Sequence, residues 1–160
     1  MTPERMHQRT NNMKWRAGIL GATGAVGQQM IQLLAAHPWF SIAELGASER
    51  SAGKPYRTAA HWNLNGSFPL AVGDLVVKTA APPLDCDFVL SALDSGVAGP
   101  IEEEFARAGY PVISNSKNHR MADDVPLVIP EVNPDHLDLI ATQRERRGFT
   151  SGYLVTNPNC

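Results

Sequence analysis

A cluster of glycines at the junction of two apolar runs constrains the fold of this chain more than any other feature. Residues 14–20 form a short apolar run typical of a strand, and residues 25–37 carry apolar side chains at helical spacing. Gly21, Gly24 and Gly27 lie at this junction. Such glycines permit a tight turn, let a pyrophosphate approach the backbone, and let the helix pack closely on the strand. The junction predicts a strand–turn–helix unit that binds a dinucleotide; a glycine-rich turn without a ligand is the alternative.

Strands and helices alternate along the rest of the chain. Short apolar runs predict strands and amphipathic stretches predict helices, one of which has Pro100 in its first turns and Gly109 at its end. The predicted strands are residues 40–48, 73–80, 86–93, 110–116 and 150–157, with 126–132 as a possible further strand, and the predicted helices are residues 95–109 and 133–148. The alternation predicts an α/β fold, Rossmann-like and doubly wound, with a mainly parallel sheet and helices on both faces. The irregular residues 51–69 are expected to form a surface excursion.

The apolar side chains of the first two predicted helices are expected to face the sheet. They are Val26, Met30, Leu33 and Leu34 in the first helix, and Val97, Ile101, Phe105 and Ala108 in the second. The third predicted helix has Asn133 as its cap and Pro134 at its first position.

Composition and charge exclude several classes of protein. The 160 residues are 43% hydrophobic and 19% charged, and a net charge of -2 creates no field that attracts nucleic acid or an acidic membrane. Two cysteines form no disulfide framework and suit a reducing, cytoplasmic compartment. No apolar run approaches membrane-spanning length, and no Cys/His spacing predicts a metal site. Residues 1–13 are polar and without pattern, so we expect a flexible leader before one domain of residues 14–160.

The end of the second predicted strand indicates which dinucleotide binds. NAD sites usually carry an acid past the end of this strand, where it holds the ribose hydroxyls. Glu44 lies within the strand, whereas Ser48, Arg50 and Ser51 follow it. These side chains can bind a 2′-phosphate, with Arg50 supplying the charge, so the expected cofactor is NADP. The alternative is that Arg50 is a solvated loop residue.

Two further loops follow predicted strands at the same edge of the sheet. After residues 86–93, Ser91 and neighbouring small residues can lie along the cofactor, and Ser95 can cap the next helix. After residues 110–116, the run SNSKNHRM carries hydrogen-bond donors and two cations that suit an anion such as phosphate, with a solvated polar turn as the alternative. His119 is expected to face solvent. The donors and cations are Ser114, Asn115, Lys117, Asn118 and Arg120.

Cys160 follows Asn-Pro-Asn after the last predicted strand. If a helix followed, its N-terminus would lower the pKa of the thiol and supply N–H groups to an oxyanion. A lone cysteine is more often a small buried hydrophobic residue, and Cys86, at the start of a strand, fits that description.

Six motifs in order carry a resemblance to a known family: GATGAVGQ, ASERSAGK, SALDSG, NSKNHRM, VPLVIPEVNPDH and TNPNC. Together they make residues 15–160 resemble the N-terminal half of an aspartate-semialdehyde dehydrogenase, in the branch shared by archaea and fungi. The resemblance implies that Cys160 is the catalytic nucleophile and that NADP is the cofactor. It implies a cofactor loop of Gly21, Thr23, Gly24, Ala25 and Val26, a 2′-phosphate site of Ser48, Arg50 and Ser51, and a substrate-phosphate site of Asn115 and Arg120.

The reaction of this family gives these groups their roles. By resemblance, the Cys160 thiolate attacks L-4-aspartyl phosphate, phosphate leaves, and the thioester is reduced by NADPH to L-aspartate 4-semialdehyde. The reaction belongs to lysine, methionine and threonine biosynthesis. The family's histidine acid/base, its carboxylate-binding arginine and most of its subunit interface follow the cysteine, so we expect this chain to be inactive alone. The complete enzyme is expected to be a cytoplasmic homodimer or homotetramer that acts on small molecules, without nucleic-acid, membrane or metal partners.

Two other interpretations remain open at this point. Malonyl-CoA reductase resembles the same branch and uses the same thioester chemistry, so substrate assays separate the two. A non-catalytic NADP-binding sensor also fits the GATG motif. An active short-chain reductase does not fit, because it needs Tyr-x-x-x-Lys, and Tyr56, Tyr110 and Tyr153 are followed at the fourth position by Ala, Ser and Asn.

Overall fold

The structure, a computed structural model, describes residues 14–158. The expected leader of residues 1–13 lies outside the described residues, as do Asn159 and Cys160.

Six parallel strands form one sheet. In chain order they are β1 (Trp15–Leu20), β2 (Phe40–Ala47), β3 (Lys78–Thr79), β4 (Phe88–Ser91), β5 (Pro111–Ser114) and β6 (Tyr153–Thr156). Their order across the sheet is β3-β2-β1-β4-β5-β6, so the winding reverses between β1 and β4. All six carboxyl ends therefore meet at one edge, which we call the carboxyl edge, and ligands of doubly wound folds bind at this edge beside the reversal.

Helices cover the sheet on both faces, which confirms the predicted doubly wound α/β fold. They are α1 (Ala25–Leu34), α2 (Tyr56–Ala59), α3 (Ser95–Arg107) and α4 (Leu139–Arg147), with 3₁₀ helices at Leu70–Val72 and Pro134–Asp138. The consecutive residues Ile19 and Leu20 of β1 belong to different core clusters, because neighbouring strand residues point to opposite faces. Ile19 packs in the cluster that contains Ile31 of α1, and Leu20 packs in the cluster that contains Phe105 of α3.

The predicted inner faces of the first two helices are partly wrong. Leu33 is 67% exposed, Val97 50% and Val26 40%. The buried residues are instead Gly27, Gln28 and Ile31 in α1, and Ala98, Gly99, Glu102, Phe105 and Ala106 in α3. Close packing explains the small residues, since a Cβ on Gly27 would lie 2.2 Å from the Gly21 carbonyl oxygen. The buried Gln28 and Glu102 have hydrogen-bond partners that the pattern of apolar residues does not reveal.

Three predicted elements form differently from expectation. Residues 126–132 add no strand to the sheet, and Leu127 makes only an isolated parallel bridge to Thr156. The predicted strand at 73–80 is reduced to β3. The predicted helix at 133–148 begins as a 3₁₀ turn before α4. Asn133 does not cap it by side chain: its Nδ2 donates to the Leu127 carbonyl and its Oδ1 accepts from the Ile129 amide.

None of the helices within residues 14–158 is both long and apolar enough to cross a membrane.

Candidate functional site

The turn between β1 and α1 contains three glycines with different structural roles. Gly21 has a φ of +79°, and a Cβ there would lie 2.5 Å from the Ala92 carbonyl oxygen in the neighbouring loop. Gly27 packs against the same turn. Gly24 is exposed, and a Cβ on it would meet nothing closer than the Gly21 oxygen at 3.4 Å. The fold therefore requires Gly21 and Gly27, whereas Gly24 leaves its outer side open to a ligand.

The first turn of α1 is prepared for an anion. Gly24 is the N-cap and offers no side chain to the first N–H groups, and the turn holds no acidic residue. Thr23 is half-buried, while Ala25 and Val26 are exposed beside it. The first N–H groups of an α-helix have no intrahelical partner and carry partial positive charge, so this turn can bind a phosphate group.

Two buried side chains that the sequence analysis missed hold this glycine loop in place. The Tyr56 hydroxyl donates to the Ala22 carbonyl at 2.8 Å, and burial raises the pKa of Tyr56 to about 12. Gln28 Nε2 donates to the carbonyls of Thr23 at 3.1 Å and His61 at 2.7 Å. Both side chains are fully buried. The irregular segment of residues 51–69, which contains Tyr56 and His61, is therefore hydrogen-bonded to the glycine loop and its helix.

The predicted 2′-phosphate residues lie in a turn at the carboxyl end of β2, next to β1. The amide of Ser51 donates to the Ser48 carbonyl at 2.9 Å, which closes the turn. Lys54 Nζ donates to the Arg50 carbonyl at 2.8 Å. Ser48 and Arg50 are exposed, and the Arg50 guanidinium forms no ion pair within residues 14–158. The turn leaves this guanidinium available to a ligand.

A cleft of about 320 Å³ opens at the carboxyl edge, beside the reversal of the sheet. Its lining combines the first turn of α1 with the loops that follow β4 and β5. The lining residues are Val26, Ala92, Leu93, Ser95, Asn115, Ser116, Lys117 and Arg120. The structure thus brings a predicted cofactor residue, Val26, and both predicted phosphate residues to one cleft.

The loop after β5 presents donors to this cleft. Asn115 Oδ1 accepts a hydrogen bond from Asn157 Nδ2 at 2.6 Å, which leaves Nδ2 as the donor of the Asn115 side chain. Arg120 Nη2 donates to the Asn115 carbonyl at 2.7 Å. Lys117 is exposed. Asn157 directly follows β6, so this contact ties the loop to the segment that leads to Cys160.

A buried polar network lies beneath the cleft, and it changes two predictions. Ser91, predicted to lie along the cofactor, is fully buried, so its side chain is not exposed to the cleft. His119 is 7% exposed and does not face solvent, because its Nε2 lies 3.5 Å from Glu102 Oε2. Ser114 Oγ donates to Glu102 Oε1 at 2.7 Å. Burial raises the pKa of Glu102, and the Ser91 and Ser114 hydroxyls and His119 partly offset this effect.

Unpartnered polar atoms concentrate around this cleft. Six buried side-chain nitrogen or oxygen atoms among the described residues form no hydrogen bond, and five of the six lie in or under the loops just described. The five are Ser91 Oγ, Glu102 Oε2, His119 Nε2, Arg120 Nε and Asn157 Oδ1, and the sixth is Trp62 Nε1. The Ser91 hydroxyl lies close enough to Glu102 to favour its ionised form but outside hydrogen-bond geometry. Folded proteins leave few such atoms, and two of these five, Glu102 Oε2 and His119 Nε2, lie 3.5 Å from each other.

The cap of α3 differs from expectation, whereas Cys86 packs against the core as expected. Asp94, not Ser95, caps α3 by accepting from the Gly96 amide at 2.8 Å, and Ser95 lines the cleft.

Cys86 is half-buried and packs against the core, and burial with nearby Glu44 raises the pKa of its thiol to about 12. Residues 14–158 contain no group of three or more His, Cys, Asp and Glu side chains that could hold a metal ion.

Comparison with known proteins agrees with this geometry. A family model described as "Semialdehyde dehydrogenase, NAD binding domain" matches residues 16–140. Aspartate-semialdehyde dehydrogenase of Archaeoglobus fulgidus is 50% identical over 149 residues, which are 92% of this chain and 43% of that protein. The same enzyme of Schizosaccharomyces pombe is 48% identical over 91% of this chain and 41% of its own length. This chain therefore spans less than half the length of these curated relatives.

Solved structures give the same result. Aspartate-semialdehyde dehydrogenase with NADP from Candida albicans superposes with a TM-score of 0.80 at 45% identity, over 90% of this chain and 42% of that one. Aspartate-semialdehyde dehydrogenase II of Vibrio cholerae, complexed with ASA, superposes with a TM-score of 0.66 at 30% identity, over 92% of this chain and 43% of that one. The resemblance inferred from the six motifs is confirmed, and the chain belongs to the family of semialdehyde dehydrogenase NAD-binding domains.

Proposed function

We propose that this chain is the NADP-binding, cysteine-bearing portion of an aspartate-semialdehyde dehydrogenase, which converts L-4-aspartyl phosphate into L-aspartate 4-semialdehyde. The observation that carries the proposal is the shared cleft, where Val26 of the dinucleotide loop meets Asn115 and Arg120. A dehydrogenase of this kind must hold its dinucleotide and its phosphorylated substrate side by side.

The described residues fit NADP. The exposed Gly24 leaves room for backbone contact with a pyrophosphate, and the uncapped first turn of α1 offers N–H groups to it. The exposed Arg50 guanidinium, with Ser48 and Ser51, supplies a cation and two hydroxyls for the 2′-phosphate. The Candida albicans enzyme, whose structure contains NADP, matches 90% of this chain at 45% identity.

The chain's own residues then divide the chemistry. Asn115 Nδ2, Arg120 and Lys117 hold the substrate phosphate and offset its charge as it leaves. Cys160 is the nucleophile: its thiolate forms a bond to the acyl carbon, and the bond from that carbon to the phosphate oxygen breaks. A thiolate suits this role because it attacks readily and also leaves readily when the product forms. The bound cofactor supplies the hydride for reduction.

The remaining assignments extend beyond the residues of this chain. We propose that the histidine acid/base and the carboxylate-binding arginine belong to the part of the relatives' length that this chain does not span. Without them the chain is inactive, since acid–base help alone contributes roughly 10²–10⁴-fold. We further propose a cytoplasmic homodimer or homotetramer that serves lysine, methionine and threonine biosynthesis.

The test compares two cysteine variants of the complete protein. Cys160→Ser should abolish NADP-dependent oxidation of aspartate semialdehyde in phosphate buffer while NADP affinity, measured by titration, stays within about twofold. Cys86→Ser is the matched control and should keep full turnover, because its thiol lies away from the cleft. Turnover that survives in Cys160→Ser would contradict the proposal. Preference for malonyl-CoA over aspartyl phosphate, or NADP binding without any turnover, would support one of the two alternative functions instead.

A further inference from the structure

A carboxylate is buried beneath the cleft where an apolar side chain would serve the core better. Glu102 is fully buried on the inner face of α3, between Ala98 and Phe105 in the helical repeat. Burying an ionisable group costs several kcal/mol unless it is well paired, and replacing such groups by apolar ones is often neutral or stabilising. Here the pairing is modest: Oε1 accepts one hydrogen bond from Ser114, and Oε2 lies 3.5 Å from His119 Nε2, beyond the geometry of a good hydrogen bond. Buried, perturbed carboxyl groups next to a cleft are more common at functional sites than in cores.

The other carboxylate oxygen, Oε1, begins a chain of two hydrogen bonds that leads to the cleft. We call this chain the relay. Glu102 Oε1 accepts a hydrogen bond from the Ser114 hydroxyl at 2.7 Å. Ser114 Oγ in turn accepts a hydrogen bond from the Ser116 amide at 3.0 Å. A serine hydroxyl has one proton to donate, so donating it to Glu102 turns the oxygen lone pairs toward the Ser116 amide. The acceptor on α3 thereby sets the direction of a hydrogen bond inside the loop.

The relay ends on both sides of a predicted phosphate residue. Asn115 lies between Ser114 and Ser116. Its backbone N–H donates to the Ser91 carbonyl at 2.9 Å. Arg120 Nη2 donates to the Asn115 carbonyl, so a shift of Asn115 also moves the guanidinium. The loop is anchored a second time, because Ser116 Oγ contacts Asn118 at 2.5 Å and Asn118 Nδ2 donates to the Ser95 carbonyl at 2.9 Å.

We propose that Glu102 is a positioning residue for phosphate: through Ser114 and Ser116 it fixes the loop that presents Asn115 and Arg120 to the cleft. Glu102 touches neither substrate nor cofactor. The loop needs a hydrogen-bond acceptor at this position, and the Glu102 carboxylate provides it although its burial is unfavourable. This inference rests on the proposed function, because it assigns a role within the same phosphate site.

The experiment measures the KM for inorganic phosphate in the oxidation of aspartate semialdehyde by the complete protein. Glu102→Leu removes the acceptor and should raise this KM about tenfold, while the KM for NADP stays within about twofold. Ser114→Ala breaks the relay at the next step and should give a similar rise, and it keeps the test open if Glu102→Leu does not fold. Glu102→Gln retains an acceptor oxygen for Ser114 and should restore the phosphate KM to within about threefold of the wild type.

A neighbouring carboxylate provides the matched control. Glu103 accepts from Arg147 Nη1 at 2.7 Å and is not part of the Glu102–Ser114–Ser116 chain of hydrogen bonds, so Glu103→Gln should leave both KM values unchanged. An unchanged phosphate KM in Glu102→Leu or in Ser114→Ala would overturn the inference. Equal rises in the phosphate and NADP KM values would also overturn it, as would a Glu102→Gln variant as impaired as Glu102→Leu. A wild-type protein without phosphate-dependent turnover would sink the proposed function together with the inference, whereas an active wild type with unresponsive variants would remove the inference alone.

Discussion

The loop after β1 and the loop after β5 line the same cleft, yet different chemistry holds each in place. Two neutral side chains, Tyr56 and Gln28, donate to backbone carbonyls of the first loop. The second loop depends on Glu102, a buried carboxylate, which accepts from Ser114 and has the His119 imidazole beside it. The dinucleotide loop is therefore held by two uncharged side chains, and the anion loop by a buried carboxyl group.

The difference fits the ligands that the proposed function assigns to the two loops. A dinucleotide is held by backbone N–H groups and a helix terminus, so its loop needs a fixed backbone and little charge nearby. A leaving phosphate gains negative charge, so its loop must place cations and amide donors with more accuracy. Under the proposed function Arg120 and Lys117 serve that purpose, and we propose that the buried Glu102 carboxylate positions their loop from outside the cleft.

The largest expected effect comes from filling the space under the dinucleotide loop. Gly27→Ala places a Cβ about 2.2 Å from the Gly21 carbonyl oxygen, which only a backbone shift can relieve. We expect the free energy of unfolding of the 160-residue chain to fall by about 3 kcal/mol. Urea unfolding followed by circular dichroism measures it.

Gly24→Ala is the comparison variant for this experiment. Its Cβ would meet nothing closer than 3.4 Å, so the free energy of unfolding should change by less than about 1 kcal/mol while NADP binding weakens. Equal destabilisation by the two alanines would contradict the conclusion that the fold requires glycine at position 27 but not at position 24.

A smaller effect is expected from Tyr56→Phe. The variant keeps the ring in the core but leaves the Ala22 carbonyl without its donor, because the lost hydrogen bond is buried. An unsatisfied buried acceptor costs about 1–2 kcal/mol, which should appear in urea unfolding. NADP affinity, measured by titration, should fall as well, since the carbonyl belongs to the cofactor loop. A variant with wild-type stability and affinity would show that the hydroxyl does not support the loop.

Arg50→Ala tests the choice of cofactor at the edge of the same loop. Loss of the guanidinium should reduce the ratio of NADP to NAD affinity about tenfold, which is about 1.4 kcal/mol. Arg57, an exposed arginine paired with Asp74 at 2.6 Å, provides the control, and Arg57→Ala should leave the ratio unchanged. An unaltered ratio in Arg50→Ala would exclude this residue from the 2′-phosphate site.

The smallest effect concerns the pH dependence of stability. Burial raises the pKa of Glu102 above its ordinary value of 4.5, so the folded chain holds its proton more tightly than the unfolded chain does. The stability that this group contributes is fully present below pH 4.5 and is lost as pH rises through the folded pKa. Glu102→Gln removes this loss, so its advantage in Tm over the wild type should grow as pH rises from 4.5 to 8. A constant difference in Tm over that range would mean that the carboxyl group titrates normally.

The two loops also differ in how far the sequence predicts them. The strand–turn–helix unit of the first loop follows from local chemistry, because glycine spacing and helix periodicity are visible within a few residues. Tyr56, which supports that loop from about thirty residues away in an irregular stretch, has no local signal. The pattern found the end of β5 and its donors, but Glu102 is one of three consecutive glutamates, EEE, and composition does not distinguish the buried one.

Helix geometry places Glu102 on the buried face of α3. It lies four residues after Ala98 and three before Phe105, at the spacing of one helical face, and both neighbours are buried. The predicted face instead follows Val97 and Ile101, because a pattern of apolar residues carries no information about how closely the helix packs on the sheet. Close helix–sheet contact selected small residues there, just as it did at Gly27 in α1. The sequence also does not predict the burial of His119, because this burial depends on the position of α3.

Cross-comparison of Tyr56→Phe and Ser114→Ala tests the central claim most directly. Both variants remove one hydroxyl, and each hydroxyl serves only one of the two loops. In the complete protein, the KM for NADP and the KM for inorganic phosphate are measured for both variants in one assay. We predict that Tyr56→Phe raises the NADP KM alone and that Ser114→Ala raises the phosphate KM alone, each about fivefold to tenfold. If either variant shifts both KM values equally, or if the two effects are exchanged, the separate support of the two loops is contradicted.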